Sequence, residues 1–246
     1  MKSSILNKPQ NRQTDKQTKR QKKSIIYKTN KHIMRDVLKI AHRGYSDLYG
    51  DNNMLSFRKA YEEGFDVIEL DIQLNRDNEI VVYHDLYKNQ IFVSNMTHKQ
   101  TKENDILLLK DVLEEFRYTS VIMYLDLKGH VKLSHLLIAF LVELNFPHDR
   151  IWVASINKNH LYTFICSPFK VSLGLITTND FYPHEFEHLL SDIDFVSCNI
   201  NILSRSFVEN LRNIRKGIFV YSTTNTFEVD YCKKFDIDGI VSNIYF

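Results

Sequence analysis

Eight short β-rich runs, separated by stretches with helical periodicity, constrain the fold of this 246-residue chain more than any other feature. The runs fall at residues 37–41, 66–74, 121–127, 151–155, 171–176, 195–199, 218–222 and 239–242. Helical spacing recurs in 56–63, 109–116, 133–144, 186–191, 206–214 and 226–235. A further β-rich run at 80–83 follows the second across the polar stretch Asn75-Arg76-Asp77-Asn78-Glu79, so it reads as the return arm of a hairpin, outside the parallel set. Eight β/α units remain, the number that closes a barrel. The expected fold is therefore α/β, a TIM-type (β/α)8 barrel with a β-hairpin extension after the second strand.

Such a barrel gathers its chemistry at the C-terminal ends of its strands, and polar residues collect there. His42-Arg43 closes the first run, Glu69 and Asp71 lie toward the end of the second, Asp126 and Lys128 end the third and Ser155 ends the fourth. Glu69 and Asp71 are two apart and share one strand face. Like charges on an otherwise apolar strand are costly to bury unless something positive sits beside them, and a divalent cation is the economical answer. With Asp77-Asn78 as a two-residue turn, Asp71 falls opposite His84, Cβ atoms within about 5.5 Å. A lone histidine at a strand end is more often structural, but beside a carboxylate pair and Arg43 it completes the equipment for metal-assisted attack on a phosphate ester.

The pattern resembles the glycerophosphodiester phosphodiesterase family, within the phosphatidylinositol-phospholipase-C-like phosphodiesterases. The likeness spans residues 37–242 and rests on His42-Arg43-Gly44, Phe57 to Ala60 with Gly64, Ile68-Glu69 with Asp71, and Val81-Val82 with His84-Asp85. Weaker matches are Leu125-Asp126-Leu127-Lys128, Ala154-Ser155-Ile156, Tyr221-Ser222-Thr223 and Asp238-Gly239-Ile240-Val241. The resemblance implies the same barrel and an enzyme that hydrolyses glycerophosphodiesters to sn-glycerol 3-phosphate and an alcohol. In that family a hydroxyl of the substrate's own glycerol can serve as nucleophile, giving a cyclic phosphate that water opens.

Asp126 and Lys128 share a strand face and add a third carboxylate and a second cation, the alternative being a salt bridge in the barrel mouth. Three carboxylates suit one hard cation, Ca²⁺ or Mg²⁺, better than Zn²⁺. The expected site is therefore His42 and His84 as general acid and base, Arg43 and Lys128 on the phosphate, Glu69, Asp71 and Asp126 on the metal, and Ser155 and Tyr221 in the substrate pocket. Tyr45, Tyr49, Phe181 and Tyr182 are further candidates to line an opening.

The chain also departs from the family pattern. The usual Pro-Glu-Asn reads Asp51-Asn52-Asn53, the third carboxylate is Asp126 where Glu is usual, Tyr221 stands where Trp is common, and the closing Thr-Asp is Ser242-Asn243. Some relatives with phospholipase-D-like activity toward sphingomyelin or lysophospholipids carry Asp at the comparable place. Only 41 residues separate His84 from Asp126, which reduces any cap insertion and would admit a bulkier alcohol. Two alternatives thus stand beside glycerophosphodiester hydrolysis: a lipid-directed activity on lysophospholipid or sphingomyelin by way of a cyclic phosphate, and a non-catalytic phosphate-binding barrel.

Charge divides the chain into a tail at 1–35 and a barrel domain at 36–246. The tail holds eleven Lys or Arg and one acid, Asp15, a net +10 that leaves −8 for the remainder of a chain whose total is +2. Its polar composition without apolar periodicity predicts disorder, with contact to anionic membrane as the functional option and no specific nucleic acid as partner. The longest apolar stretch, residues 136–142, is far short of a span of about 18 residues. With no secretory core, the expectation is a cytoplasmic protein acting on a small-molecule glycerophosphodiester or lysophospholipid. The widely spaced Cys166, Cys198 and Cys232 predict buried thiols in a reducing compartment more than a disulfide frame.

Overall fold

The computed structural model describes residues 36–181, 184 and 187–246; the tail, with its expected disorder and membrane contact, and Tyr182 lie outside them. Eight parallel strands close on themselves: β1 Leu38–Ala41, β2 Val67–Leu74, β3 Ile122–Leu127, β4 Ile151–Ser155, β5 Ser172–Thr177, β6 Phe195–Asn199, β7 Gly217–Thr223 and β8 Gly239–Ser242. Each pairs with the next, and β1 pairs with both β2 and β8, so no barrel edge is left open. Helices lie between them: α1 Met54–Glu63, α2 Leu109–Glu115, α3 Lys132–Leu144, α4 Lys158–Cys166, α5 Glu187–Asp192, α6 Arg205–Asn213 and α7 Thr226–Cys232. The periodicity did not single out α4, whose apolar stripe is only Leu161 and Phe164 with a buried His160 between turns. Cys198 and Cys232 are buried as expected, but Cys166 at the end of α4 is exposed, because it lies off that stripe. No helix among the described residues is long and apolar enough to cross a membrane.

Strand alternation sorts each strand into an inward and an outward set. Outward residues such as Ile68, Leu70, Leu125, Val153 and Val196 join the helices in the main core. Inward ones, Ile40, Val67, Tyr124, Trp152, Phe195 and Phe219 among them, make a separate lumen cluster dominated by aromatic rings. Trp152 stacks on Phe219 with ring centroids 5.2 Å apart, and Phe195 meets both. Gly174 on β5 is what admits that ring: a Cβ there would overlap the Phe195 side chain. The lumen is thus plugged, and only inward side chains beyond the plug can face an opening.

The hairpin forms, but one residue out of the expected register. Ile72 pairs with Val82 and Leu74 with Ile80, so Asp71 lies opposite Tyr83, whose amide donates to the Asp71 carbonyl. The loop has three residues: Asn75 N donates to Glu79 O, and Asn78 takes a left-handed φ of 62°. The Asn75 side chain accepts from the amides of Asp77 and Glu79, which favours the longer loop. Past the hairpin the reduced cap holds a two-stranded ribbon, Tyr87–Lys88 with Ile91–Phe92, and a helix at His98–Glu103, over a small core of Val81, Val93, Met96 and Ile106.

Candidate active site

The inward residues past the aromatic plug enclose a cavity of about 300 Å³ at the C-terminal end of the barrel. His42, Arg43, Glu69, Asp71, His84, Asp126, Lys128 and Tyr221 all line it. Ser155 does not. Trp152 and Ala154 belong to the lumen cluster and Ile156 lines the cavity, so the intervening Ser155 points outward. Its hydroxyl donates to Leu127 O at 2.8 Å and accepts from Asn157 N.

The acidic cluster follows from parallel register. Asp71 on β2 sits beside Asp126 on β3, and Glu69 lies one inward step below Asp71. Each of the three carboxylates offers an oxygen within 4.8 Å of the others, and all are buried. Asp71 is the best compensated: Lys128 Nζ lies 3.1 Å from Oδ1, Arg43 Nε 3.1 Å from Oδ2, and the Asn52 side chain both donates to Oδ2 and accepts from the Asp71 amide. Burial alone would raise its pKa; Lys128, Arg43 and Asn52 outweigh it and hold the carboxyl below its ordinary value. Among the described residues Glu69 has only the Arg43 amide as hydrogen-bond donor, and burial with repulsion from Asp71 and Asp126 pushes it well above the usual range. Asp126 is raised to about 6, by burial first, despite its bond to Lys128.

These features fit a metal ion. Asp126 Oδ1 is buried without a hydrogen-bond partner among the described residues, although Oδ2 is held by Lys128. A bound cation would give that buried oxygen a partner and offset the repulsion among the three carboxylates, and an all-oxygen set suits a hard one. Glu69, Asp71 and Asp126 could therefore hold a metal.

Backbone strain aims Arg43. Its φ of 57° is followed by 81° at Gly44, and a Cβ on Gly44 would overlap Ser56 at the start of α1. The turn carries the Arg43 amide onto Glu69 while the guanidinium bridges Asp51 and Asp71. Lys128 is fixed on both flanks, its own amide bonding Ile72 O, with Ser155 on Leu127 O and buried His160 Nε2 on Gly129 O. Ser134 completes His160 at Nδ1, 2.6 Å away.

The two histidines differ in setting. His42 Nδ1 bonds Asn243 Oδ1, and burial followed by the Arg43 charge depresses its pKa. His84, on the chain leaving the hairpin, meets Asp85 Oδ1 at 2.7 Å through Nδ1. Both leave Nε2 for other partners. Tyr221 donates to Thr177 O, and its phenol is pushed up to about 12, by burial first. Tyr45 and Tyr49 pack on each other and Phe181 on Phe207; none of the three lines the cavity.

Several contributors escaped the sequence reading, among them Asn243, Asn52, Ile156 and Asn199. Ile156 and Asn199 line the cavity, and strand parity was the available signal, since each continues an inward set. Asn52 and Asn243 stood out only as departures from a family pattern.

Comparison with known proteins agrees with the geometry. The model of the glycerophosphoryl diester phosphodiesterase family matches residues 42–147. An uncharacterised Mycoplasma pneumoniae protein is 36% identical over 39% of the chain and 48% of its own length, so the chain spans about half of that relative. A glycerophosphodiester phosphodiesterase of Bacillus altitudinis is 25% identical over 82% of the chain and 93% of its own. Among solved structures, a glycerophosphoryl diester phosphodiesterase fold from Silicibacter pomeroyi superposes with a TM-score of 0.77 at 12% identity, covering 86% of this chain and 91% of that one. A phosphodiesterase from Oleispira antarctica in complex with the product sn-glycerol-3-phosphate gives 0.73 at 19% identity, covering 84% and 92%. At these identities the solved structures establish the fold.

Proposed function

We propose that this chain, which matches the glycerophosphoryl diester phosphodiesterase family model over residues 42–147, hydrolyses glycerophosphodiesters to sn-glycerol 3-phosphate and an alcohol, with one Ca²⁺ or Mg²⁺ on Glu69, Asp71 and Asp126. The observation that carries the reading is the meeting of two histidines, two cations and three carboxylates around one cavity. The Oleispira complex with sn-glycerol-3-phosphate, a barrel of the same fold, supports that product.

A cation held by Glu69, Asp71 and Asp126 would supply Lewis-acid polarisation and charge neutralisation to the phosphodiester. Arg43 and Lys128 take up the charge that grows on the phosphoryl group, and both are preorganised by carboxylates already in place. His42 is the general base. Its Nδ1 proton is committed to the Asn243 amide oxygen, burial and Arg43 keep the ring neutral, and Nε2 takes the proton of the attacking hydroxyl. His84 is the general acid, its Nδ1 proton held by Asp85 while Nε2 protonates the leaving alkoxide. Tyr221 closes the side of the cavity toward β7.

Phosphorus NMR of the purified chain with glycerophosphocholine, in Ca²⁺, Mg²⁺ or EDTA, tests this. Glycerol 3-phosphate should appear with a cation and not with EDTA, and His42→Ala or His84→Ala should slow it by about 10² or more with the fold intact. No turnover with either cation would sink the proposal.

A further inference from the structure

Helix α3 is apolar on more than its inner side. Apart from Lys132, Ser134, His135 and Glu143, each of its 13 residues is apolar. Leu133, Leu137 and Leu141 are fully buried, yet Val142 stays 59% exposed and Leu136, Ile138 and Phe140 are only half-buried. Helix α6 shows the ordinary arrangement on the outside of this barrel: it buries Phe207, Val208 and Leu211 and turns Arg205, Ser206 and Glu209 to solvent. A helix that is apolar nearly all round is one that a further surface covers.

That surface has a shape to fit. Helix α4 packs beside α3, joined to it by the bond between Ser134 and His160, and a second cavity of about 500 Å³ lies on this pair. His135 and Ile138 of α3 line it together with Tyr162, Thr163 and Cys166 of α4, and no lysine, arginine or carboxylate does. Tyr162 is 44% exposed. None of these residues lines the cavity at the barrel mouth, so covering them leaves that opening clear.

Charge at the two ends of α3 says what the cover is. The exposed residues of the helix are Lys132, His135, Ala139, Val142 and Glu143. The 11 positions from Lys132 to Glu143 make about three turns, which puts both on one face, about 16 Å apart, at opposite ends of a stripe without fixed charge. Among the described residues the Lys132 ammonium bonds only the neutral Asn78 Oδ1. Such a stripe is complementary to itself. Under a two-fold axis crossing near residues 137 and 138, the Lys132 of one copy meets the Glu143 of the other, and the same pair forms again beyond the axis. Ala139 leaves the middle of the stripe without bulk, so the two helices can approach to ~8–10 Å.

We infer that the face made by α3 and α4 is an isologous interface, on which a second copy of this chain packs with its own α3 antiparallel. Val142 and Tyr162 enter the uncharged groove of the other copy, and the two lysine–glutamate pairs set the register. The full chain, basic tail included, has a net charge of +2, so two copies repel each other only weakly.

Sedimentation equilibrium of the full chain at about 0.15 M salt tests this. Wild type should be a dimer, and Val142→Glu should raise its dissociation constant about tenfold or more. Lys132→Glu and Glu143→Lys each bring like charges together at both ends of the stripe and should weaken the dimer to a similar degree. An equimolar mixture of those two variants should recover it, as should the double variant Lys132→Glu/Glu143→Lys, because opposite charges meet again. Circular dichroism establishes that each variant is folded. A wild-type chain that stays monomeric would overturn the proposal, and so would a dimer that Val142→Glu leaves intact. Failure of both the mixture and the double variant to recover the dimer would overturn it as well, since two copies would then not meet in the antiparallel register.

Discussion

Asn243 Oδ1 lies 2.6 Å from His42 Nδ1, joining the end of the last barrel strand to the end of the first. An amide oxygen only accepts, so the Nδ1 proton is fixed and Nε2 carries the lone pair. The carbonyl of Asn243 is held by Asp47 N, and its amide bonds Thr223 O, so its side chain starts from a rigid backbone.

Replacing Asn243 by Asp should raise the His42 pKa, because an anion then faces the imidazolium. In the wild type burial and Arg43 lower it from 6.5, so the acid limb of kcat/KM should fall below pH 6.5. In Asn243→Asp that limb should move to higher pH, and in Asn243→Leu kcat should drop by about tenfold to a hundredfold. A pH–rate profile unchanged in Asn243→Asp would show that the amide does not tune His42.

Cation binding should compete with protons. Asp126 titrates at about 6 and Glu69 is raised, so without metal the folded state holds protons that the unfolded chain releases near pH 4. Asp126 therefore contributes stability below its unfolded pKa that is lost as pH rises through about 6. Calcium or magnesium at a hundred times Kd adds about 2.7 kcal/mol at full affinity. The rise in Tm they produce should be larger at pH 8 than at pH 5, and Asp126→Asn should shrink it. A Tm rise independent of pH would place the ion elsewhere.

Gly174→Ala should weaken the barrel by about 1–3 kcal/mol, since the added Cβ meets the Phe195 ring inside an aromatic plug that has little room to shift. Urea unfolding should show a lower midpoint with an unchanged slope. An unaltered midpoint would mean that the lumen packs more loosely than its ring contacts indicate.

His160→Ala should cost about 1–3 kcal/mol, because Ser134 Oγ and Gly129 O lose a buried partner. Lys128 adjoins Gly129, so kcat should fall along with stability. Burial lowers the His160 pKa, so its stabilisation is fully present above the unfolded value near 6.5 and is lost as pH falls through the depressed folded value. Wild type should therefore lose stability below pH 6.5 more steeply than His160→Gln.

Much of the site was legible because it is local. Alternation placed Glu69 with Asp71 and Asp126 with Lys128 on shared faces, and barrel counting gathered the strand ends. Ser155 shows where that stopped: its strand was predicted correctly, but its face depended on which set packs inward, and Ala154 and Ile156 took the lumen. The hairpin register turned on the Asn75 side chain, whose bonds to Asp77 and Glu79 accompany a three-residue loop and move Asp71 from His84 to Tyr83.

The amino-acid sequence by itself determined the eight strands, the helices that shield them and the charged residue types that gather at the cavity, because period and residue chemistry are properties of short segments. Tertiary structure decided which side chains hold the others in place: Asn243 on His42, Asn52 on Asp71, and His160 with Ser155 on either side of Lys128. Closure of the barrel sets β8 against β1 and so joins residues 201 apart, a contact that no local period encodes.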